Sequence, residues 1–193
     1  MSLSSILAAH LPARWLAELP APPAVQQRLL EVADMVATQS ARTPDATTAA
    51  MRLDNHPLAP WLQYLREYGK TVGPVDAARG ALHVSGAMTR ATARTFITKL
   101  RYSQPRPFQL DTRIVPLDTR VHTDTSFPSG HAASAWAAAE SLAAIWPERA
   151  NNLRATATAV GNARIYSGVH LPSDVAAGKT IGIAAAQRHG VPA

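Results

Sequence analysis

Residues 127–146 read Phe127-Pro-Ser-Gly-His131-Ala-Ala-Ser-Ala-Trp136-Ala-Ala-Ala-Glu140-Ser-Leu-Ala-Ala-Ile-Trp146. Alanine is the strongest helix former, and Ser129 stands where a side-chain oxygen can cap a first turn, so the stretch predicts a helix. Two further Ala-rich stretches, 153–166 and 173–187, read the same way. Upstream, Val25, Leu29, Val32 and Val36 recur at helical spacing, as do Leu58, Trp61, Leu62 and Leu65, with Gly69 as the expected stop. Thr43-Pro44-Asp45 is an N-cap followed by Pro at the first helical position. A longer helix is expected after Pro74, carrying Val75, Leu82, Met88, Phe96, Ile97 and Leu100. Period-two alternation is nearly absent, and the one extended-looking stretch, Arg113 to Val121, is short and contains Pro116. The expected fold is all-α, a single-domain helical bundle of about seven helices with its site at helix ends.

The chain has 193 residues, within the range of roughly 100–200 for one domain. A Pro-rich arm is expected over 1–23, with Pro12, Pro20, Pro22 and Pro23, and the domain over 24–193. Hydrophobic residues at 47% and charged ones at 17% exclude disorder. The 15 Pro and 10 Gly follow no period, which excludes a collagen repeat. No cysteine is present, so disulfides, thiolate catalysis, zinc ribbons and iron–sulfur clusters are excluded. Neither His131–Trp146, interrupted by Glu140, nor Ile181–Ala186 approaches the roughly 20 apolar residues of a membrane span, so a soluble protein is expected. Met1–His10 lacks a basic region and a long apolar run, and does not read as a secretory signal. The expected location is therefore cytoplasmic, or periplasmic or extracellular if a signal has been lost.

Nineteen Lys and Arg against thirteen Asp and Glu give a net charge of +6, which calls for an anionic partner. Between Asp76 and Asp111 there is no acid, and six bases stand there: Arg79, Arg90, Arg94, Lys99, Arg101 and Arg106. The rest of the chain is formally neutral, so the excess belongs to one segment.

Three separated pieces carry chemistry. The first runs from Lys99 to Pro107 at the exit of the long helix. Pro107 biases Arg106 away from the α region, so Lys99 and Arg106 should approach an anion from two directions. Alone, the piece equally describes a solvated basic helix end. The second is Phe127-Pro-Ser-Gly-His131, where Ser129 caps, Gly130 admits a ligand close to the backbone, and first-turn amides point outward. His131 could there give a proton to a leaving oxygen, or be incidental to a cap. The third is Arg164-Ile-Tyr-Ser-Gly-Val-His170-Leu-Pro-Ser-Asp174. Pro172 suits a first helical turn, leaving His170 before the helix and Asp174 about one turn inside it. A carboxylate so placed can fix the imidazole tautomer, and the other ring nitrogen can act as a nucleophile.

In this order, Lys-x6-Arg-Pro, Pro-Ser-Gly-His and Arg-x5-His-x3-Asp resemble the three-part signature of the type 2 phosphatidic acid phosphatase superfamily. The chain resembles its soluble branch, the bacterial nonspecific acid phosphatases, and the same site recurs in vanadium haloperoxidases. The motifs cover 99–174, and the preceding helices and arm resemble the soluble layout less specifically. The resemblance implies that Lys99, Arg106 and Arg164 bind phosphoryl oxygens, with Ser129 and the Gly130 amide as further donors. It implies that His170 attacks phosphorus, that Asp174 holds its ring, and that His131 protonates the leaving group and later activates water. Three cations and a helix N-terminus can stabilise a phosphoryl transition state without a metal or other cofactor. One departure is Ala163, where the family usually has Ser; losing such a donor can lower rate by roughly 10²–10³, and Asn162 and Ser167 are candidate substitutes between which spacing does not decide.

His10, His56, His83, His122 and His189 form no metal-ligand pattern and are expected to be structural or exposed. Trp15, Trp61, Trp136 and Trp146 read as core or interface. Phe127, Tyr166, Leu171 and Tyr102 are candidates for the leaving-group side, and Arg79, Arg90, Arg94 and Arg101 for a solvent-facing row that steers an anion inward. The expected activity is metal-independent hydrolysis of soluble phosphomonoesters through a phosphohistidine. The alternatives are a lipid or polyprenyl phosphate phosphatase, a vanadate-dependent haloperoxidase, and a non-enzymatic binder of nucleic acid or an anionic surface. The expected partner is a phosphorylated small molecule rather than nucleic acid, and the oligomeric state is left open.

Overall fold

The computed structural model describes residues 19–117 and 125–187. Most of the expected arm, together with Trp15, His10, His122, His189 and the ends of the expected domain and extended stretch, lies outside them. The described chain is helical, with no strand among the described residues. Its helices are α1 (Val25–Gln39), α2 (Pro44–Asn55), α3 (Ala59–Thr71), α4 (Pro74–Tyr102), a short α5 (Pro107–Leu110), α6 (Gly130–Ile145), α7 (Ala150–Tyr166) and α8 (Pro172–Gln187), with one 3-10 turn at Pro147–Arg149.

Local chemistry sets the helix starts as expected. Thr43 caps α2 through its hydroxyl, which accepts from the Ala46 amide at 3.3 Å, and Ser129 caps α6, accepting from Ala132 at 3.4 Å. Pro172 opens α8, whose first turn is closed from outside: Glu31 on α1 accepts from the Ser173 amide and hydroxyl at 3.3 and 2.6 Å. Gly69 does not stop α3, which runs on to Thr71. Glycine inside a helix costs only about 1 kcal/mol, and the break comes instead at Gly73-Pro74, where Pro cannot continue a helix from within.

The core is built on α6, which packs against α8, α4 and α7. Ala132, Ala133, Ala137, Ala138, Ala139 and Leu142 are all fully buried. One cluster joins Ala138, Ala139 and Leu142 to Trp61 on α3, Val84 on α4, and Leu153, Ala157 and Val160 on α7, and each fully buried Leu or Val contributes roughly 1.5–3 kcal/mol. Trp61 and Trp136 are thus core residues, as expected. Helices α6 and α8 approach so closely that a Cβ on Gly178 would lie 2.4 Å from the Ser129 carbonyl, and one on Gly182 2.4 Å from that of Ala133.

The buried face of three helices differs from the one the apolar spacing predicts: at α3, Trp61 is buried while Leu58 and Leu62 are exposed. On α1, Val32 and Met35 are buried with Arg28, while Val25 and Leu29 are exposed. On α4, the buried stripe is Gly80, Val84, Ala87, Ala91, Arg94, Thr95 and Thr98, and Val75, Leu82 and Phe96 face outward. Small side chains win these positions because they let α4 lie close to α6.

Candidate active site

The first piece leaves α4 through Ser103, whose positive φ of 44° ends the helix, and Arg106 then adopts the extended backbone that Pro107 favours. Arg106 is buried, donating to the Val169 carbonyl at 2.8 Å and to Nε2 of His170 at 3.0 Å. Arginine has no acceptor, so Nε2 carries the lone pair and the ring proton sits on Nδ1. Lys99, half-buried, donates to the carbonyls of Thr125 and Ser126.

The second piece meets the third directly. The Ser129 amide donates to the Asp174 carbonyl at 2.9 Å, which sets the N-termini of α6 and α8 side by side. The amides of Gly130 and His131 belong to the first turn of α6, where no intrahelical acceptor exists. His131, half-buried, opens into an apolar groove of about 720 Å³. The groove runs between Leu58 and Trp61 on the α3 side, Thr92 and Phe96 on α4, and His131 and Ser134 on α6.

His170 and Asp174 are both buried, with Nδ1 3.6 Å from Asp174 Oδ2, an approach just beyond hydrogen-bond length. Burial is the main force on His170, pushing its pKa down to about 3, with the Arg106 and Arg164 charges adding to the effect against the pull of Asp174. For Asp174 burial alone would act upward, yet its contacts with His170, Arg28 and Ser126 hold it well below the usual carboxylate range. Both shifts favour a neutral ring beside an ionised carboxylate.

Four residues of the site were not legible as partners. Arg28 on α1 donates to Asp174 Oδ1 at 2.8 Å, Ser126 donates to Oδ2 at 2.5 Å, and the Leu171 amide donates to Oδ2 at 2.8 Å. Asp54 on α2 pairs with Arg164 at 2.8 Å and accepts from Ser167 at 2.5 Å. Ser126 adjoins the second motif and could have been picked out there. The only signal for Arg28 was a charged residue in line with Val32 and Met35 on a helix face.

Several expectations are corrected. Neither Ser167 nor Asn162 replaces the hydroxyl missing at Ala163, because Ser167 is bound to Asp54 and Asn162 is exposed on a different cavity. Phe127 and Leu171 are core residues, Tyr102 stacks edge-on against Phe127 and Tyr166 bonds to Thr43, and none of the four lines the groove beside His131. The expected row of steering arginines is incomplete: Arg94 is only 3% exposed, and Arg90 donates to the Ala185 carbonyl at the end of α8. Without it, the basic segment offers no continuous stripe to a polyanion.

A family model described as the PAP2 superfamily matches residues 80–188, which contain all three pieces. The chain belongs to the PAP2 superfamily. A curated relative, the non-specific acid phosphatase of Salmonella typhi, is 33% identical over 123 residues, covering 59% of this chain. The match spans 47% of that relative's own length, so the chain covers about half of it. The crystal structure of a transmembrane PAP2-type phosphatidylglycerolphosphate phosphatase from Bacillus subtilis superposes with a TM-score of 0.63 at 19% identity, over 96% of this chain and 92% of that one. This likeness establishes the PAP2 fold. Unlike that protein by its description, this PAP2 chain has, among the described residues, no helix long and apolar enough to cross a membrane.

Proposed function

We propose that this protein is a phosphatase that hydrolyses phosphomonoesters through a phosphohistidine on His170, without a metal. The observation that carries this reading is the Arg106 hydrogen bond to Nε2 of a buried, neutral His170. A phosphoryl group entering the site draws Arg106, Arg164 and Lys99 onto its oxygens, and Nε2 is left to attack phosphorus. The N–P bond forms as the P–O bond to the leaving group breaks, and His131 gives that oxygen its proton. His131 then takes a proton from water, which attacks phosphorus and releases phosphate and neutral His170. Ser129 and the Gly130 amide add donors, and Asp174 steadies the ring as it becomes cationic.

Hydrolysis of a chromogenic aryl phosphate in chelator tests this reading. Turnover by the wild type and none above background by His170→Ala is expected; equal rates contradict the assignment.

A second reading concerns the leaving group, and the groove favours it. Leu58 and Phe96 are more than half exposed at its edge, and His131 lies within it. An apolar alcohol, as in a lipid or polyprenyl phosphate, would fill that space. Ser134→Phe, placed one turn from His131, should then lower kcat/KM for long-chain alkyl phosphates and leave short-chain ones unchanged. Equal losses for both would count against this reading.

A further inference from the structure

The first helix contributes to the site from outside the segment that carries the family signature. Arg28 is 3% exposed and lies far from residues 80–188 in sequence. Its guanidinium makes two contacts, one to Asp174 Oδ1 at 2.8 Å and one to the Pro105 carbonyl at 3.3 Å. Pro105 precedes Arg106, the residue bonded to Nε2 of His170. One side chain thus grips the carboxylate behind the imidazole and the turn that presents the cation in front of it.

We propose that Arg28 is a positioning residue for His170: by countering the Asp174 charge while holding the turn before Arg106, it weakens the carboxylate's pull on the ring proton and keeps the imidazole aimed at phosphorus. The inference rests on the phosphatase reading for its purpose, but not for its geometry. A carboxylate facing only a histidine raises the basicity of the ring and favours the imidazolium, which cannot attack. Here the carboxylate is shared. Arg28 occupies Oδ1, Ser126 and the Leu171 amide occupy Oδ2, and His170 stands 3.6 Å off.

The charged and titratable groups around the ring come from every neighbouring element. Arg106 precedes α5, Arg164 ends α7 with Asp54 of α2 behind it, and Asp174 lies on α8 with Arg28 of α1 behind it. Lys99 on α4, bound to the Thr125 and Ser126 carbonyls, and His131 on α6, in the groove, are the titratable motif residues on the remaining elements. Arg28 alters the balance because its guanidinium is paired directly with Asp174, at 2.8 Å from Oδ1.

The test needs no substrate. His170 is titrated by NMR in protein carrying isotope-labelled histidine, its resonance assigned by its absence from His170→Gln. In the wild type the ring should stay neutral down to about 3. In Arg28→Gln, which removes the charge, the titration should move up by about one pH unit or more, as expected when an opposing charge is unmasked. In Arg28→Lys, which keeps the charge, it should stay near the wild-type value. A residue that only fastens α1 to the bundle would leave the titration alone. Identical titration in all three proteins, or an equal shift in the Gln and Lys variants, overturns the proposal. If Arg28→Gln does not fold, Arg28→Lys still decides, since an upward shift of a unit with the charge retained contradicts it. Failure of the wild type to hydrolyse any phosphomonoester would overturn the phosphatase reading and leave the titration interpretable.

Discussion

Arg106 and His170 are joined by a hydrogen bond of 3.0 Å in which the guanidinium is the donor and Nε2 the acceptor. The lone pair of the proposed nucleophile is therefore directed at the cation that would hold its substrate. The buried carboxylate of Asp174 lies behind the opposite ring nitrogen. In the proposed mechanism, a phosphoryl oxygen that displaced Nε2 from Arg106 would bring phosphorus toward that lone pair, so that binding and alignment would be one event.

Arg106→Lys tests this double role. An ammonium is a point charge and cannot serve both the Val169 carbonyl and a phosphoryl oxygen in the fork geometry that Arg106 uses. We expect kcat to fall by roughly 10²–10³, the loss typical of one donor to a developing oxyanion, with circular dichroism unchanged. Steady-state kinetics on an aryl phosphate checks it, and a variant with near-normal kcat would show that Arg106 only fastens the loop.

The buried, neutral state of His170 has a consequence for stability against pH. Its ordinary pKa of 6.5 is lowered to about 3 in the folded protein, so between these values the unfolded chain binds a proton that the folded one does not. This stabilisation is complete above about pH 6.5 and is lost as pH falls toward 3, with a limiting slope of roughly 1 kcal/mol per pH unit. Asp174, shifted downward from its ordinary value, loses its contribution only below about pH 4. Thermal denaturation between pH 7 and 4 should show a steeper loss in the wild type than in His170→Gln. Parallel slopes would mean that the ring is protonated in the folded state.

The α6–α8 contact predicts a separation of stability from activity. A Cβ on Gly178 meets the Ser129 carbonyl at 2.4 Å, and one on Gly182 meets that of Ala133 at the same distance one turn deeper. Both Gly178→Ala and Gly182→Ala should destabilise by about 1–3 kcal/mol through overpacking. Only the first displaces Ser129, whose amide binds the Asp174 carbonyl. Activity per folded molecule should therefore fall in Gly178→Ala and persist in Gly182→Ala, as denaturation and kinetics on the same preparations would reveal.

What could be read from the sequence was the chemistry that stays local. Ser129 before an Ala run and Pro172 shortly after His170 mark helix starts that are those observed, whereas Pro107 sets the extended backbone of Arg106 and opens α5, the long helix having already ended at Tyr102. The buried faces were harder. Spacing of large apolar residues pointed to Leu82 and Phe96, which are exposed, because α4 packs through Gly80, Ala87 and Ala91, residues whose hydrophobicity is slight. Arg28 and Asp54 were hidden for another reason. Each answers a charge on a helix distant in sequence, and no periodicity encodes which buried arginine meets which aspartate.

The most direct test of the central claim is to trap the phosphorylated enzyme. His131→Ala, incubated with an aryl phosphate carrying radiolabelled phosphorus and quenched in alkali, should retain label on the protein, because the same residue is needed to activate the water that removes it. The label should be alkali-stable and acid-labile, as a phosphohistidine is, should map to the peptide containing His170, and should be missing from His131→Ala/His170→Ala. Label that persists in the double variant, or that maps to any other residue, would contradict the account.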